Sequence, residues 1–144
     1  MKKEIIFILA IVTIVIAMIS YFYLVYQRNY KIAQQENRQY DSYYQQEIYG
    51  PDLATLINKA VDDNTKNKIE KDNKGKYIEN TKNSVRIDIK FTDDDSIHAM
   101  EEIYQGGIST FIQYYNQIKF KCTKIDYHAS THKVKYMLFE QITG

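Results

Sequence analysis

One cysteine, one proline and no tryptophan in 144 residues narrow the options before any motif is sought. A single thiol, Cys122, cannot close an internal disulfide, and it is compatible with either side of a membrane. Charge of one sign is also lacking. The net charge is +1, and from Ile48 onward 14 lysines and arginines stand against 14 aspartates and glutamates. No strongly basic footprint exists, so no nucleic-acid partner is expected. The deepest absence is local: the 22 residues from Ile5 to Tyr26 carry no charge at all.

That run is what the chain has in place of a motif. At about 1.5 Å per residue it is long enough to cross a hydrocarbon core of roughly 30 Å as one helix. Although 44% of the residues are hydrophobic, the mean hydropathy is negative, so the apolar content is concentrated here and the remainder is polar. Lys2 and Lys3 give the run a basic start, as in a signal peptide. A cleavage site needs small residues, and Met18, Ile19 and Tyr21 are too large. No cysteine near the run offers a lipoprotein site. An uncleaved anchor in the cell membrane is expected, with residues 1–4 as a basic tail and 5–26 as the span. Tyr21, Phe22, Tyr23 and Tyr26 suit one membrane interface. The short basic tail favours a cytoplasmic N-terminus and an extracytoplasmic C-terminal domain.

Residues 27–49 hold no proline or glycine, so the helix is expected to continue as a stalk. Tyr23, Tyr26, Tyr30, Ala33, Asn37, Tyr40 and Tyr44 recur at steps of 3 and 4, a heptad seam. Tyr30, Ala33, Asn37, Tyr40 and Tyr44 are thus candidates for stalk self-association into a homo-oligomer. The alternative is a helix lying against its own domain or the lipid surface. Gly50 and Pro51 are expected to break it, leaving residues 50–144 as a small domain.

Within that domain, Leu53, Leu56, Ile57, Ala60 and Val61 form one apolar stripe, which predicts a short packing helix over about 51–63. Residues 64–83 read as a long loop or irregular hairpin. Val85, Ile87, Ile89 and Phe91 alternate with polar residues and predict a strand. Residues 96–100 read as a second, shorter strand and 108–117 as a helix. Ile118, Phe120 and Cys122, then Val134, Tyr136 and Leu138, predict a closing hairpin with a bulge near Ile125. The expected fold is α+β: a single N-terminal transmembrane helix extended as a stalk, a short packing helix, and a small antiparallel sheet of about four strands.

Candidate chemistry is thin. Cys122, His128 and His132 have a Cys-x5-His-x3-His spacing, but zinc sites usually pair their cysteines, and a buried thiol is the simpler reading. Nothing marks an orienting group for a Cys–His nucleophile. Asp93, Asp94 and Asp95 lack the alternating ligands of a calcium loop, and Gly106-Gly107 lacks a phosphate fingerprint. No catalytic residue, metal or cofactor is expected. Lys119, Lys121, Lys133 and Lys135 should share one face of the hairpin. They read as a solvated face or as a basic patch for anionic headgroups or cell-wall polymers.

The stretches IYGPDLATLINKAVDDN, YQGGISTFIQYYNQIKFKCTKIDYH and KVKYMLFEQIT resemble a group of small uncharacterised single-pass membrane proteins of Gram-positive bacteria. The resemblance spans about residues 48–143 and implies no activity. A long apolar helix feeding a small antiparallel sheet is also similar, in architecture alone, to pilins and pseudopilins. Those place a small residue ahead of the apolar run and a glutamate inside it, whereas here Glu4 precedes the run. The composition supports a membrane-anchored, non-enzymatic interaction or assembly module with protein or envelope partners. A pilin-like filament or secretion component is the alternative.

Overall fold

The computed structural model describes residues 1–143. Its first element, α1, is one unbroken helix, Lys2–Asp41, of 40 residues. At 1.5 Å per residue it extends about 60 Å. No glycine or proline interrupts it, and every residue from Ile5 to Tyr26 on it is exposed. It is long and apolar enough to span a membrane.

The predicted stalk is shorter than expected. The helix stops at Asp41, and the chain turns at Ser42–Gln46, with Gln45 in the left-handed region at φ 59°. The Gln45 N–H donates to the Cys122 carbonyl at 3.2 Å, and residues 47–49 become a strand, β1 (Glu47–Tyr49). Competition from an open strand edge ends the helix here, eight residues before Gly50. Main-chain partners on a sheet satisfy the backbone as fully as another helical turn would.

Helix α2 (Gly50–Lys66) follows at once, with Pro51 in its first turn, where no N–H is needed. Its predicted stripe (Leu53, Leu56, Ile57, Ala60 and Val61) is buried along its whole length. The remaining elements are β2 (Arg86–Lys90), β3 (Ile97–Ala99), α3 (Met100–Gly106), α4 (Ile108–Tyr115), β4 (Lys119–Tyr127) and β5 (Val134–Gln141).

The sheet has five strands in the order β1-β4-β5-β2-β3, and it is mixed. β2 pairs parallel with β5, from Arg86 opposite Tyr136 to Lys90 opposite Glu140. The other neighbours are antiparallel. The α+β fold is as expected, and the sheet differs from the expected antiparallel one of about four strands in having a fifth strand and one parallel pair. Alternation identifies a strand but is blind to its direction, and three-residue β1 is too short to show alternation at all. The register breaks on either side of Ile125, between Cys122 and Lys124 and again at Asp126–Tyr127.

One sheet face carries Ile48, Ile87, Ile89, Phe120, Cys122, Met137 and Phe139, all buried beneath α2, α3 and α4. Phe111, Tyr115 and Phe91 surround Phe120 with ring centroids 5.8–6.1 Å away. The opposite face carries Arg86, Asp88 and Lys90 of β2 and Tyr136, Leu138 and Glu140 of β5.

The strand directions set a polarity along α1. β5 starts beside Asn37, near the C-terminal end of α1, and β2 runs parallel to it from a start held by Asn64 of α2. The turn at residues 128–133 therefore lies towards the apolar half of α1. The Asp93–Asp95 turn and the start of β4 lie at the far end.

Candidate functional site

The geometry of most consequence is the junction where the last third of α1 meets the domain. Ala33, Asn37 and Tyr40 are the buried residues of α1. They are the predicted seam, and they face the protein's own domain. The self-association reading is corrected on this point: these three side chains are occupied within the chain. Tyr30 and Tyr44 remain partly exposed, with Tyr30 edge-on to His132 at 5.8 Å and Tyr44 bridged to Cys122. Periodicity reports that one helix face is covered, not what covers it.

Asn37 is the centre of the junction. Its Nδ2 donates to the His132 carbonyl at 2.7 Å, and its Oδ1 accepts from the Val134 N–H at 2.8 Å. The side-chain amide thereby acts as one residue of a neighbouring strand, closing the start of β5. Asn64 of α2 does the same for β2, donating to the Val85 carbonyl and accepting from the Val85 N–H, both at 2.8 Å. Two buried asparagines, one on each long helix, fix the starts of the two parallel strands. Asn37→Ala leaves the part-buried His132 carbonyl and the buried Val134 N–H without these side-chain partners. It should cost about 2–3 kcal/mol, read as a lower thermal midpoint of the detergent-solubilised chain.

Around Asn37 the contacts are charged and phenolic. The Tyr40 hydroxyl donates to Asp63 Oδ2 at 2.7 Å, and Lys59 Nζ donates to the same oxygen at 2.7 Å. Burial, then the Asp63 carboxylate, pushes the Tyr40 phenol far above its ordinary range, so it stays a donor. Lys133 pairs with Glu36 at 2.7 Å. The Tyr127 hydroxyl donates to Asp41 Oδ1 at 2.6 Å; burial, then this bond, raises the Tyr127 phenol too. A narrow polar cleft of about 180 Å³ runs between Glu36, Tyr40, Lys59, Asp63 and Lys133. Each of these five groups already has a partner, and the pairs tie the helix to the domain.

The four candidate lysines do not form one patch. Lys119 and Lys121 lie opposite Tyr49 and Glu47 at the far end of β4, whereas Lys133 and Lys135 lie at the turn. Six strand residues separate the pairs, about 20 Å at 3.3 Å per residue. Lys119 reaches Glu47 at 3.2 Å and Lys135 reaches Glu79 at 3.0 Å. Side chains two apart do share a face, but the two groups sit at opposite ends of it, among acids.

The Cys-x5-His-x3-His residues are also dispersed. Cys122 is fully buried, and burial pushes its thiol up to about 11. Buried His128 contacts the Ser84 carbonyl through Nε2 at 2.7 Å, while His132 faces Tyr30. Among the described residues no group of three His, Cys, Asp or Glu side chains is placed to hold a metal ion.

A cluster that sequence reading passed over lies at the far end. His98 Nε2 is 3.0 Å from Asp94, and Nδ1 is 3.1 Å from Glu102, which pairs with Lys76 at 2.8 Å. Asp94, ahead of Glu102, raises the imidazole above its ordinary value and so favours its charged form. The spacing Asp94-x3-His98-x3-Glu102 was the available signal. It was masked because the chain there is a turn, a strand and a helix in succession. The cluster ties the acidic turn to α3. Comparison with protein-family models, curated proteins and solved structures gives no match.

Proposed function

We propose that this chain is a single-pass cell-membrane protein whose one helix both anchors and mounts a non-enzymatic interaction module. The observation that carries the reading is the continuity of α1. Its first part is apolar and exposed, and its last part is bonded into the domain through Asn37 and Tyr40 with no flexible linker between. A helix built this way holds a domain at fixed height and fixed orientation. That arrangement serves presentation of a surface better than turnover of a diffusing substrate.

The surface presented is the far end, on the extracytoplasmic side. There Tyr49, Asn116, Gln117, Ile118, Lys119 and Ile142 line an open groove of about 720 Å³. Protein or envelope partners would meet the domain there. A photo-crosslinking residue placed at exposed Gln117, in membranes of the native host, should capture a discrete partner. The same residue at Ala129, near the apolar half of α1, should not. Equal capture at both positions, or none at Gln117, overturns the reading. Gln117→Cys should also react with a membrane-impermeant maleimide in intact cells, and protection there would reverse the sidedness.

A pilin-like subunit is the second reading. It is favoured by the division of α1 into a protruding apolar half and a half packed on a sheet-bearing domain. It requires processing near the N-terminus, so an intact mass equal to the full chain rejects it.

A further inference from the structure

The end of the domain nearest the apolar half of α1 gathers four exposed cations from three separate parts of the chain. Arg28 and Lys31 lie on α1, two and five residues past Tyr26. That is about 3 and 8 Å along the axis. Lys82 lies in the loop that the 128–133 turn grips: the Ser130 hydroxyl donates to the Thr81 carbonyl, and the Thr131 hydroxyl to the Lys82 carbonyl. Lys68 lies just beyond α2, next to Asn67, whose side chain donates to the Asn83 carbonyl at 3.5 Å. None of the four has a salt bridge among the described residues.

The acids of this end are already engaged. Glu36 holds Lys133, Asp62 holds Lys66, Asp63 holds Lys59 and Tyr40, and Glu79 holds Lys135. Glu70, two residues past Lys68, is outside any such pair, while Asp41 accepts from the Tyr127 hydroxyl and Asp72 from the Lys74 and Lys76 N–H groups. The opposite end of the domain is where Asp93, Asp94 and Asp95 collect.

Height decides what the cations meet. The 128–133 turn sits against Tyr26, Asn29 and Tyr30, with a crevice of about 290 Å³ between them. A headgroup layer is about 5–8 Å deep on each side of the hydrocarbon. With Tyr26 at the edge of the hydrocarbon, Arg28, Lys31 and the turn stand inside that layer.

We propose that this end of the domain is a binding surface for anionic phospholipid headgroups, with Arg28, Lys31, Lys68 and Lys82 as its cations. The proposal rests on the anchor reading, because the helix supplies the height. Each cation near an anionic surface adds attraction that fades within a Debye length, so the surface is salt-sensitive.

The test uses the full-length chain carrying Ala129→Cys, labelled with a fluorophore and reconstituted into vesicles. One set is phosphatidylcholine alone, and the other is phosphatidylcholine with phosphatidylglycerol. Quenching by a headgroup-attached quencher should rise about twofold in the anionic set and fall back at high salt. The rise should vanish in the variant Arg28→Gln, Lys31→Gln, Lys68→Gln, Lys82→Gln, whose changes are all at exposed positions. Equal quenching in both vesicle sets, or a rise the variant retains, overturns the proposal. Flotation separates the two readings. A chain that floats with neither vesicle type removes the anchor and this surface together. One that floats with both and shows no anionic rise removes the surface alone.

Discussion

Phe120→Ala is expected to lower the stability of the domain by about 3–5 kcal/mol, the range for emptying a large buried aromatic site. Phe120 has no exposed surface and lies at the start of β4 on the inner sheet face, opposite Ile48 of β1 and Gln141 of β5. Three rings lie around it, from Phe91, Phe111 and Tyr115. Those rings come from the end of β2 and from α4, so truncation leaves a cavity lined by several elements, none of which can collapse alone. The loss should appear as a lower midpoint in thermal unfolding of the solubilised full chain, followed by near-ultraviolet circular dichroism of its tyrosines. Phe120→Leu, which keeps most of the volume, should cost less than half as much. Equal losses for the two variants would place the effect in the backbone of β4 rather than in the cavity.

Gly50→Ala should be nearly as damaging for a different reason. Gly50 is buried where the start of α2 crosses the end of α4, and its N–H donates to the Ile118 carbonyl at 3.0 Å. A Cβ there would lie 2.7 Å from the Tyr115 carbonyl carbon and 2.8 Å from Tyr115 Cβ, pressed against the Tyr115 carbonyl oxygen. Main-chain atoms cannot rotate aside as a side-chain tip can. α2 must move off α4, which opens the core and strains the Ile118 bond. Overpacking of this kind costs about 3 kcal/mol. Gly106→Ala is the contrast: nothing lies within 4 Å of its added Cβ, and it ends a helix. That change should be neutral or stabilising by up to about 1 kcal/mol. If both alanines behave alike in the unfolding midpoint, close approach is not what holds glycine at position 50.

Gly50 shows how far sequence reading reaches. The pair Gly50-Pro51 marked a break between helices, and a helix does begin there. The reason for glycine is a crossing with Tyr115, 65 residues later, which no local pattern encodes. The α2 stripe was legible because a helix repeats every 3.6 residues whatever covers it. The β2 and β4 alternations were legible for the same reason at period two. In β5 the expected face of Val134, Tyr136 and Leu138 is corrected, because Met137 and Phe139 are the residues buried with Val134. Strand direction was not legible, because alternation reads the same both ways. Nor was β1, which is a strand only because the edge of β4 needed a partner.

The junction divides in the same way. The seam at Tyr30, Ala33, Asn37, Tyr40 and Tyr44 was visible as a 3–4 repeat. A second copy and the chain's own domain would produce the same repeat. Asn37 finds its partners at His132 and Val134, 95 and 97 residues away, through hydrogen bonds that depend on where β5 starts. The lysines are a converse case: four like charges on one face allowed a solvated face or a patch, and strand length places them at opposite ends among acids. Arg28, Lys31, Lys68 and Lys82 have no common sequence signal, and only the fold brings Lys68 and Lys82 to the end of the domain nearest the apolar part of α1.

By itself the sequence determined three things. They are a charge-free run long enough to span a membrane, a helix with one apolar stripe, and strands with one apolar face. Each follows from local periodicity and length, which act within a few residues. The tertiary structure alone decided that the seam closes on the domain, that β2 and β5 run parallel, and which cations stand beside the span. Those outcomes depend on contacts between residues tens of positions apart, where burial and main-chain pairing choose among arrangements that local preference leaves equal.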